Sequence, residues 1–312
     1  MEKSVKLFDL TGKKAVVTGG SIGIGRGYAT ALAMAGADVA IVNRDEKTGA
    51  KTAAELAETY GVDSFCIPCD VTDPVQVNSM MDEAVKRLGK LDIAVNNAGI
   101  ALLGADENVP PEDWKKVMDV NVSGMFYCCQ AAGKVFIQQR NGGKIVNTAS
   151  MSARICNCNA SYNASKAAVV QLTRMLAAEW GQYNINVNCL SPSYILTPMH
   201  ASSPLKLRER IRELTPLGHV QRVEDLYGPL IFLASEASNY VTGTELLVDG
   251  GHTLNSWLVP LKRALPPRVS PQEEVVQLKH DLDLLEIPYD ENGINESLHP
   301  NMAEAFGAMF GT

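Results

Sequence analysis

The stretch KAVVTGGSIGIG, residues 14–25, is the part of the sequence that decides the fold. Its first five residues form a short, apolar and β-branched run typical of a strand, and an apolar-periodic stretch of helical type occupies residues 25–35. Glycines between a strand and a helix let the backbone turn tightly and approach a phosphate group, which the free N–H groups of the helix attract. Taken alone, the loop is also compatible with an ordinary tight turn.

The same alternation of strand and helix continues along the chain. Further strands are predicted at residues 38–42, 64–69, 91–96, 143–148, 186–191 and 245–248, and helices at residues 46–60, 74–88, 111–140, 160–183 and 223–235. Strands that alternate with helices of this length indicate βαβ units. We therefore predict an α/β fold of the Rossmann type, a doubly wound and mainly parallel seven-stranded sheet with helices on both faces.

Residues 1–255 are predicted to form this domain, and residues 256–312 a C-terminal extension. The extension contains a capping-box pattern at residues 270–273 and then apolar residues at helical spacing, namely Val275, Leu278, Leu282 and Leu285. One amphipathic helix is predicted here and a second at residues 301–310. The apolar face must be covered either by a neighbouring subunit or by the chain's own substrate cleft, and we favour the neighbouring subunit.

Composition favours an ordinary folded protein with small-molecule partners. Apolar residues make up 46% and charged residues 20%, and the formal net charge is -7 without a dense Lys/Arg cluster, so a nucleic-acid or membrane partner is not expected. No signal-like or membrane-spanning apolar run is found, so we expect a cytoplasmic protein. The seven cysteines suit reduced thiols, and no metal site is assigned because metal-ligand spacing is lacking.

Five motifs follow the glycine loop in a defined order. They are Asp70-Val71, Asn96-Asn-Ala-Gly99, Asn121, Ser150 and Tyr162-Asn-Ala-Ser-Lys166. Together with the TGxxxGxG pattern of residues 18–25, this series resembles the short-chain dehydrogenase/reductase family over about residues 8–252. The resemblance implies an NAD(P)-dependent oxidoreductase that acts on CH-OH groups, and a homo-oligomer, either a dimer or a tetramer.

The resemblance implies a catalytic tetrad of Asn121, Ser150, Tyr162 and Lys166. A free phenol has a pKa near 10, so Tyr162 needs a nearby cation to stabilise its phenolate, and Lys166 lies one helical turn along. By resemblance, Ser150 holds the substrate oxygen, Asn121 positions a water that relays protons, and Lys166 also binds the nicotinamide ribose. Tyr162 then gives a proton to a carbonyl, or takes one from an alcohol, as hydride is transferred.

A longer set of residues is implied to bind the cofactor. Asp70 is expected to contact the adenine amino group, and Thr197 to lie near the nicotinamide carboxamide. Ser193 departs from the glycine that the family usually has after Pro192. The full set is Gly19, Ser21, Ile22, Gly23, Ile24, Gly25, Asn43, Arg44, Asp70, Val71, Asn97, Ala98, Gly99, Tyr162, Lys166, Pro192, Ile195 and Thr197.

Residues after the second strand indicate which cofactor is preferred. Enzymes that prefer NAD usually place a carboxylate near position 43, whereas this chain has Asn43 and then Arg44, whose guanidinium suits the 2'-phosphate of NADP. Two features favour NAD instead: the glycine loop has Ile22 where NADP enzymes of the family often have a second basic residue, and the carboxylate of Asp45 is close by. We predict NADP as the preferred cofactor and keep NAD as the alternative.

Polar residues in the loops beyond the strands favour a hydroxylated substrate. The predicted substrate-binding residues are Ser152, Arg154, Asn157 and Tyr194. We therefore predict interconversion of a secondary alcohol and a ketone on a sugar, polyol or sugar acid. Two alternatives stay open: a 3-oxoacyl thioester reductase, and an inactive binding or scaffold protein, against which the intact tetrad argues.

Overall fold

The structure is a computed structural model that describes residues 6–102, 104–201, 203–254 and 266–295. Seven parallel strands form one sheet in the order β3-β2-β1-β4-β5-β6-β7. The strands are β1 (Lys14–Thr18), β2 (Asp38–Asn43), β3 (Ser64–Pro68), β4 (Ile93–Asn96), β5 (Gly143–Thr148), β6 (Ile185–Pro192) and β7 (Glu245–Val248). The predicted doubly wound Rossmann-type sheet is therefore confirmed.

Helices connect the strands and cover both faces of the sheet. They are α1 (Gly23–Met34), α2 (Glu46–Tyr60), α3 (Pro74–Leu88), α4 (Pro111–Met118), α5 (Met125–Gln139), α6 (Ala160–Trp180), α7 (Leu205–Leu214) and α8 (Tyr227–Ala234), followed in the extension by α9 (Pro271–Glu274) and α10 (Val276–Leu284). Within the described residues, none of them is both long and apolar enough to cross a membrane.

The period of two in a strand divides the apolar residues between two cores. Val16 of β1 packs with buried residues of α3, α5 and α6, whereas its neighbours Ala15 and Val17 pack with α1, α2 and α8 on the other face. Because both faces are covered, the central strands read as continuous apolar runs rather than alternating ones. That pattern made the strands recognisable in the sequence.

The predicted helix over residues 111–140 is interrupted. A π-helical segment, Asp119–Gly124, separates α4 from α5. Single π-helical turns inside α-helices are rare and occur often at functional sites. This one carries Asn121, so the departure from a regular helix falls at a predicted site residue.

The C-terminal extension packs on its own chain. Ser270 and Glu273 form the predicted capping box at the start of α9, and Leu278 and Leu282 of α10 are buried in a third apolar core with α7 and the segment after β6. Our expectation that a neighbouring subunit covers this face was wrong for the described residues, because α7 and the segment after β6 of the same chain cover it. The second predicted helix, at residues 301–310, lies outside the described residues.

Candidate active site

A cleft lies where the strand order reverses, between β1 and β4. In doubly wound sheets, ligands bind in the crevice outside the carboxyl ends of the strands at this point. The cleft has a volume of about 350 Å³ and is lined on the β2 side by the glycine loop and Arg44, and on the β5 side by Ser150, Tyr162 and Lys166. All of these side chains follow carboxyl ends of strands or start a helix beside them.

The glycine loop requires glycine at particular positions. Gly19 has φ +62°, which other residues adopt only with strain, and a Cβ on Gly25 would lie 1.9 Å from the Gly19 carbonyl oxygen. Asn97, which follows β4, donates from Nδ2 to the carbonyl oxygens of Thr18 and Gly19, each at 3.2 Å. The Thr18 hydroxyl oxygen in turn accepts from the backbone N–H groups of Asn97 and Ala98, so the loops after β1 and β4 hold each other.

Tyr162 and Lys166 lie together on the first turns of α6. The Lys166 Nζ is 5.5 Å from the centroid of the Tyr162 ring and donates to the Thr148 carbonyl at 2.9 Å. Asn159 caps this helix by accepting from the Tyr162 backbone N–H, which fixes the start of α6 and hence the position of the phenol.

Burial sets the protonation of this pair. It raises the pKa of Tyr162 to about 12, with the Cys158 thiol adding to the rise and the Ser150 hydroxyl opposing it, and it lowers the pKa of Lys166 to about 8. We expected the Lys166 ammonium to lower the pKa of Tyr162, whereas burial raises that pKa. The phenol is therefore a neutral proton donor at neutral pH.

Ser150 begins a short 3₁₀ turn directly after β5. Its hydroxyl accepts from the Ser152 backbone N–H at 3.1 Å and donates to the Ser152 hydroxyl at 3.1 Å. Ser152, which we predicted to touch substrate, therefore orients Ser150. The Ser150 hydroxyl is also within hydrogen-bond reach of the Tyr162 hydroxyl, and this contact opposes the rise in the pKa of Tyr162.

Asn121 is fully buried in the π-helical segment. Its side-chain oxygen accepts from the Ile100 N–H at 2.8 Å, and its Nδ2 donates to the Ile100 carbonyl at 2.9 Å and to the Ser165 hydroxyl at 3.0 Å. The amide therefore fastens the segment after β4 to α6. These contacts engage both polar atoms of the side chain.

The end of β2 provides the charges expected at the adenosine end of the cleft. Arg44 is exposed and lines the cleft, whereas Asp45 caps α2 by accepting from the Lys47 N–H at 3.1 Å. Asp70 also lines the cleft, and its pKa is lowered mainly by its hydrogen bond from the Thr72 N–H and further by the charge of Arg44. Asp45, which argued against NADP in the sequence, is thus committed to a helix cap.

Comparison with known proteins identifies the family. A family profile described as Enoyl-(Acyl carrier protein) reductase matches residues 19–253. A short-chain type dehydrogenase/reductase of Mycobacterium marinum has 43% identity and a TM-score of 0.76, covering 80% of this chain and 98% of that one. This chain belongs to the short-chain dehydrogenase/reductase family.

Two further members of the short-chain dehydrogenase/reductase family have descriptions that bear on substrate class. A sorbose reductase of Candida albicans is 42% identical over 252 residues, which cover 79% of this chain and 89% of that protein. A gluconate 5-dehydrogenase of Burkholderia cenocepacia, solved in complex with NADP and tartrate, is 36% identical and has a TM-score of 0.78. The match covers 81% of this chain and 100% of that one.

The cleft has the features that a nicotinamide dinucleotide requires in this family. The glycine loop leaves no room for a Cβ at Gly25, and the N-terminal end of α1 adjoins the cleft at Gly23. Of the predicted cofactor residues, all line the cleft except Ser21, which is buried and whose carbonyl accepts from the Thr52 hydroxyl at 2.9 Å. Ser193 has an ordinary backbone conformation, so the replacement of glycine there causes no strain.

The predicted substrate residues do not line the cleft. Arg154 pairs with Glu245 at 3.0 Å, and the Tyr194 hydroxyl bonds to the Ser203 hydroxyl at 2.8 Å. Asn157 keeps a buried side-chain oxygen that has no hydrogen-bond partner among the described residues. The residues that line this side of the cleft instead are Ser193, Pro198, Met199 and His200.

Sequence reasoning did not find two contacts of the glycine loop. The sequence identified Thr18 only as the last residue of a strand. The hydrogen bonds of its hydroxyl to the loop after β4 form because β1 and β4 are neighbours in the sheet. Asp281 of α10 accepts from the Gly23 N–H at 2.7 Å, although 258 positions separate the two residues. No local pattern signals a contact at that separation.

Proposed function

We propose that this protein is an NADP-preferring oxidoreductase that interconverts a secondary alcohol and a ketone on a sugar, polyol or sugar-acid substrate. The observation that carries this proposal is the grouping of Ser150, Tyr162 and Lys166 on one side of a cleft whose other side is a glycine loop with Arg44. A general acid beside a dinucleotide-type cleft is what carbonyl reduction needs.

The cofactor would be held by the glycine loop, by Asp70 and Arg44 at the adenosine end, and by Tyr162 and Lys166 near the reacting centre. When bound, it supplies or accepts the hydride. In reduction, the Tyr162 hydroxyl donates its proton to the carbonyl oxygen, and the Ser150 hydroxyl would turn its hydrogen from the Ser152 hydroxyl to the same oxygen to orient it. The Lys166 ammonium offsets the negative charge that this transfer leaves on the phenol. Oxidation of the alcohol reverses these proton movements.

The choice of a hydroxylated substrate is supported by similarity and by one local feature. The related proteins named above act, by their descriptions, on sorbose and on gluconate. The local feature is the polar lining of this side of the cleft, where Ser193 and His200 are our proposed substrate contacts. Asn157, which lies outside that lining, stays a prediction.

We also propose that the chain forms a homo-oligomer, with a homotetramer as the expected state, and that it resides in the cytoplasm. The dinucleotide-binding domain ends near residue 255. Roles of individual site residues are likewise proposed from their geometry.

A substrate screen tests the proposed function. Purified protein is mixed with NADPH or NADH and with ketose sugars, keto-sugar acids, simple ketones and an acetoacetyl thioester, and nicotinamide absorbance is followed. We expect turnover of a ketose or keto-sugar acid with NADPH. Preferential turnover of the thioester would favour the acyl reductase instead, an activity to which the description of the matching family profile is closer. Binding of cofactor with no turnover of any carbonyl would favour the inactive binding protein.

A further inference from the structure

Helix α10 of the C-terminal extension contacts the glycine loop through one carboxylate. Asp281 accepts from the Gly23 N–H at 2.7 Å, from the Arg26 guanidinium at 3.3 Å and from the Gln277 amide at 2.8 Å. The residue has 0% of its surface exposed. Both carboxylate oxygens are therefore committed, one to the loop and the other to Arg26 and Gln277.

The helix that follows the glycine loop does not cap itself. Its N-cap residue is Ile22, whose side chain accepts no hydrogen bond. The first N–H groups of a helix need acceptors, and these usually come from a nearby Ser, Thr, Asp or Asn. Asp281 supplies that acceptor from the extension. The capped residue, Gly23, also lines the cleft and has φ +55°, in the region that favours glycine.

Independent contacts hold α10 in place. Glu274 of α9 is buried and accepts from the Arg212 Nε at 2.9 Å and from the Val220 N–H at 2.9 Å. Leu278 and Leu282 are fully buried in the third core. Asp281 therefore reaches the loop from a packed support rather than from a free segment.

We propose that Asp281 is a positioning residue for the cofactor site, through which the extension holds the glycine loop in the conformation that receives the dinucleotide phosphates. This inference rests on the proposed function. A loop that is already ordered loses less conformational freedom when the ligand binds, so its affinity is higher. The family profile ends at residue 253, so this contact lies beyond the matched region.

A charge effect would act in the opposite direction. Arg26 pairs with both Asp281 and Glu55, which leaves this group with an excess negative charge beside a site for an anionic ligand. Asparagine at position 281 keeps an acceptor for the Gly23 N–H but removes the charge. Alanine removes both, so the two variants separate positioning from repulsion.

The experiment measures the Kd of NADPH for the full-length protein by fluorescence titration. We expect Asp281→Ala to raise Kd about tenfold, equal to about 1.4 kcal/mol, a loss typical of one helix cap. Asp281→Asn should stay within about threefold of the parent because it retains the cap. The matched control is Asp283→Ala on the same helix, which is exposed and should not change Kd. Asp281→Leu, which keeps the branched shape and fills the site but has no acceptor, replaces the alanine variant if that variant does not fold.

A second measurement follows hydrogen exchange of residues 19–26 without cofactor. Exchange should rise in Asp281→Ala and stay at the parent level in Asp281→Asn and Asp283→Ala. An unchanged Kd in Asp281→Ala would overturn the inference, and so would tighter binding by both the alanine and asparagine variants, which would reveal repulsion. Failure of the parent protein to bind either NADPH or NADH would instead contradict the proposed function.

Discussion

Tyr162 combines two properties that a proton donor for carbonyl reduction needs. It is neutral at neutral pH, since burial raises its pKa to about 12, and it lies beside the buried ammonium of Lys166. Donating the proton creates a phenolate in a poorly solvated place, so the nearby cation becomes important only as the reaction proceeds. The resting pKa of the phenol is therefore not a measure of its reactivity.

Removing the phenolic hydroxyl tests the assignment of the acid. Tyr162→Phe should lower kcat by at least about 100-fold, the usual contribution of a general acid, because no other described hydroxyl beside Lys166 offers a proton of that kind. Its Kd for NADPH should change little. Steady-state kinetics and fluorescence titration measure the two effects, and substantial remaining activity would contradict the assignment.

The pH dependence of reduction should report Lys166. Burial lowers the pKa of its ammonium to about 8, whereas Tyr162 stays protonated well above that pH. We therefore expect kcat for ketone reduction to be constant below pH 8 and to fall above it, because Lys166 loses its proton and with it the positive charge beside Tyr162. Lys166→Arg keeps its charge at high pH, so its profile should be flat even if its turnover is slower. A parent profile that rises above pH 8 would contradict this account.

Arg44 tests the choice of cofactor. Its guanidinium is exposed at the cleft and is the charged group suited to a 2'-phosphate. Arg44→Ala should lower kcat/KM for NADPH about tenfold or more, as expected for a lost charge-assisted hydrogen bond, and leave kcat/KM for NADH nearly unchanged. Equal effects on both cofactors would show that Arg44 does not read the phosphate, and a parent preference for NADH would reverse the prediction.

At the scale of elements, two helices from distant parts of the sequence are joined by a buried ion pair. Glu274 of α9 accepts from Arg212 of α7 and from the Val220 N–H, so it anchors the extension to α7. The π-helical segment makes a similar connection, because its Asn121 side chain joins the loop after β4 to α6. Each connection fixes an irregular or remote segment to the rest of the domain.

Glu274→Ala should therefore destabilise the protein. Removing a buried carboxylate deprives a guanidinium and a buried N–H of their acceptor, and we expect the free energy of unfolding to fall by about 2–4 kcal/mol. The neighbouring Glu273 is exposed and serves only in the capping box, so Glu273→Ala should cost about 1 kcal/mol or less. Denaturant unfolding of the two variants measures the difference, and equal losses would show that Glu274 is not an anchor.

At the scale of the whole molecule, the described extension completes a core of its own chain. Residues of α7, α10 and the segment after β6 share this third core with Val275, which lies between α9 and α10, and the core is separate from the two cores of the sheet. The apolar face of the described extension is therefore covered within the chain.

Deletion of residues 255–312 should leave the number of subunits unchanged. It should also expose the apolar residues Leu196, Ile211 and Val220, and so lower the melting temperature. Light scattering coupled to gel filtration gives the mass of both forms. A monomer after deletion, from an oligomeric parent, would support our original expectation of packing between subunits, through residues that the structure does not describe.

The sequence by itself determined the succession of strands and helices along the chain and the glycine turn between the first strand and helix, because these depend on local spacing. It also placed Tyr162 and Lys166 one helical turn apart, which is the basis of the predicted catalytic pair. It could not predict the break at residues 119–124, since a π-helical turn has no simple periodic signature.

Only the tertiary structure decided what packs on what. The cap on Gly23 comes from Asp281, the anchor on Arg212 comes from Glu274, and Arg154 pairs with Glu245 rather than facing the cleft. These contacts join segments far apart in the chain, and their partners are chosen by the packing of whole elements. An amphipathic pattern states that an apolar face will be covered, whereas the identity of the cover depends on the shape of the folded domain.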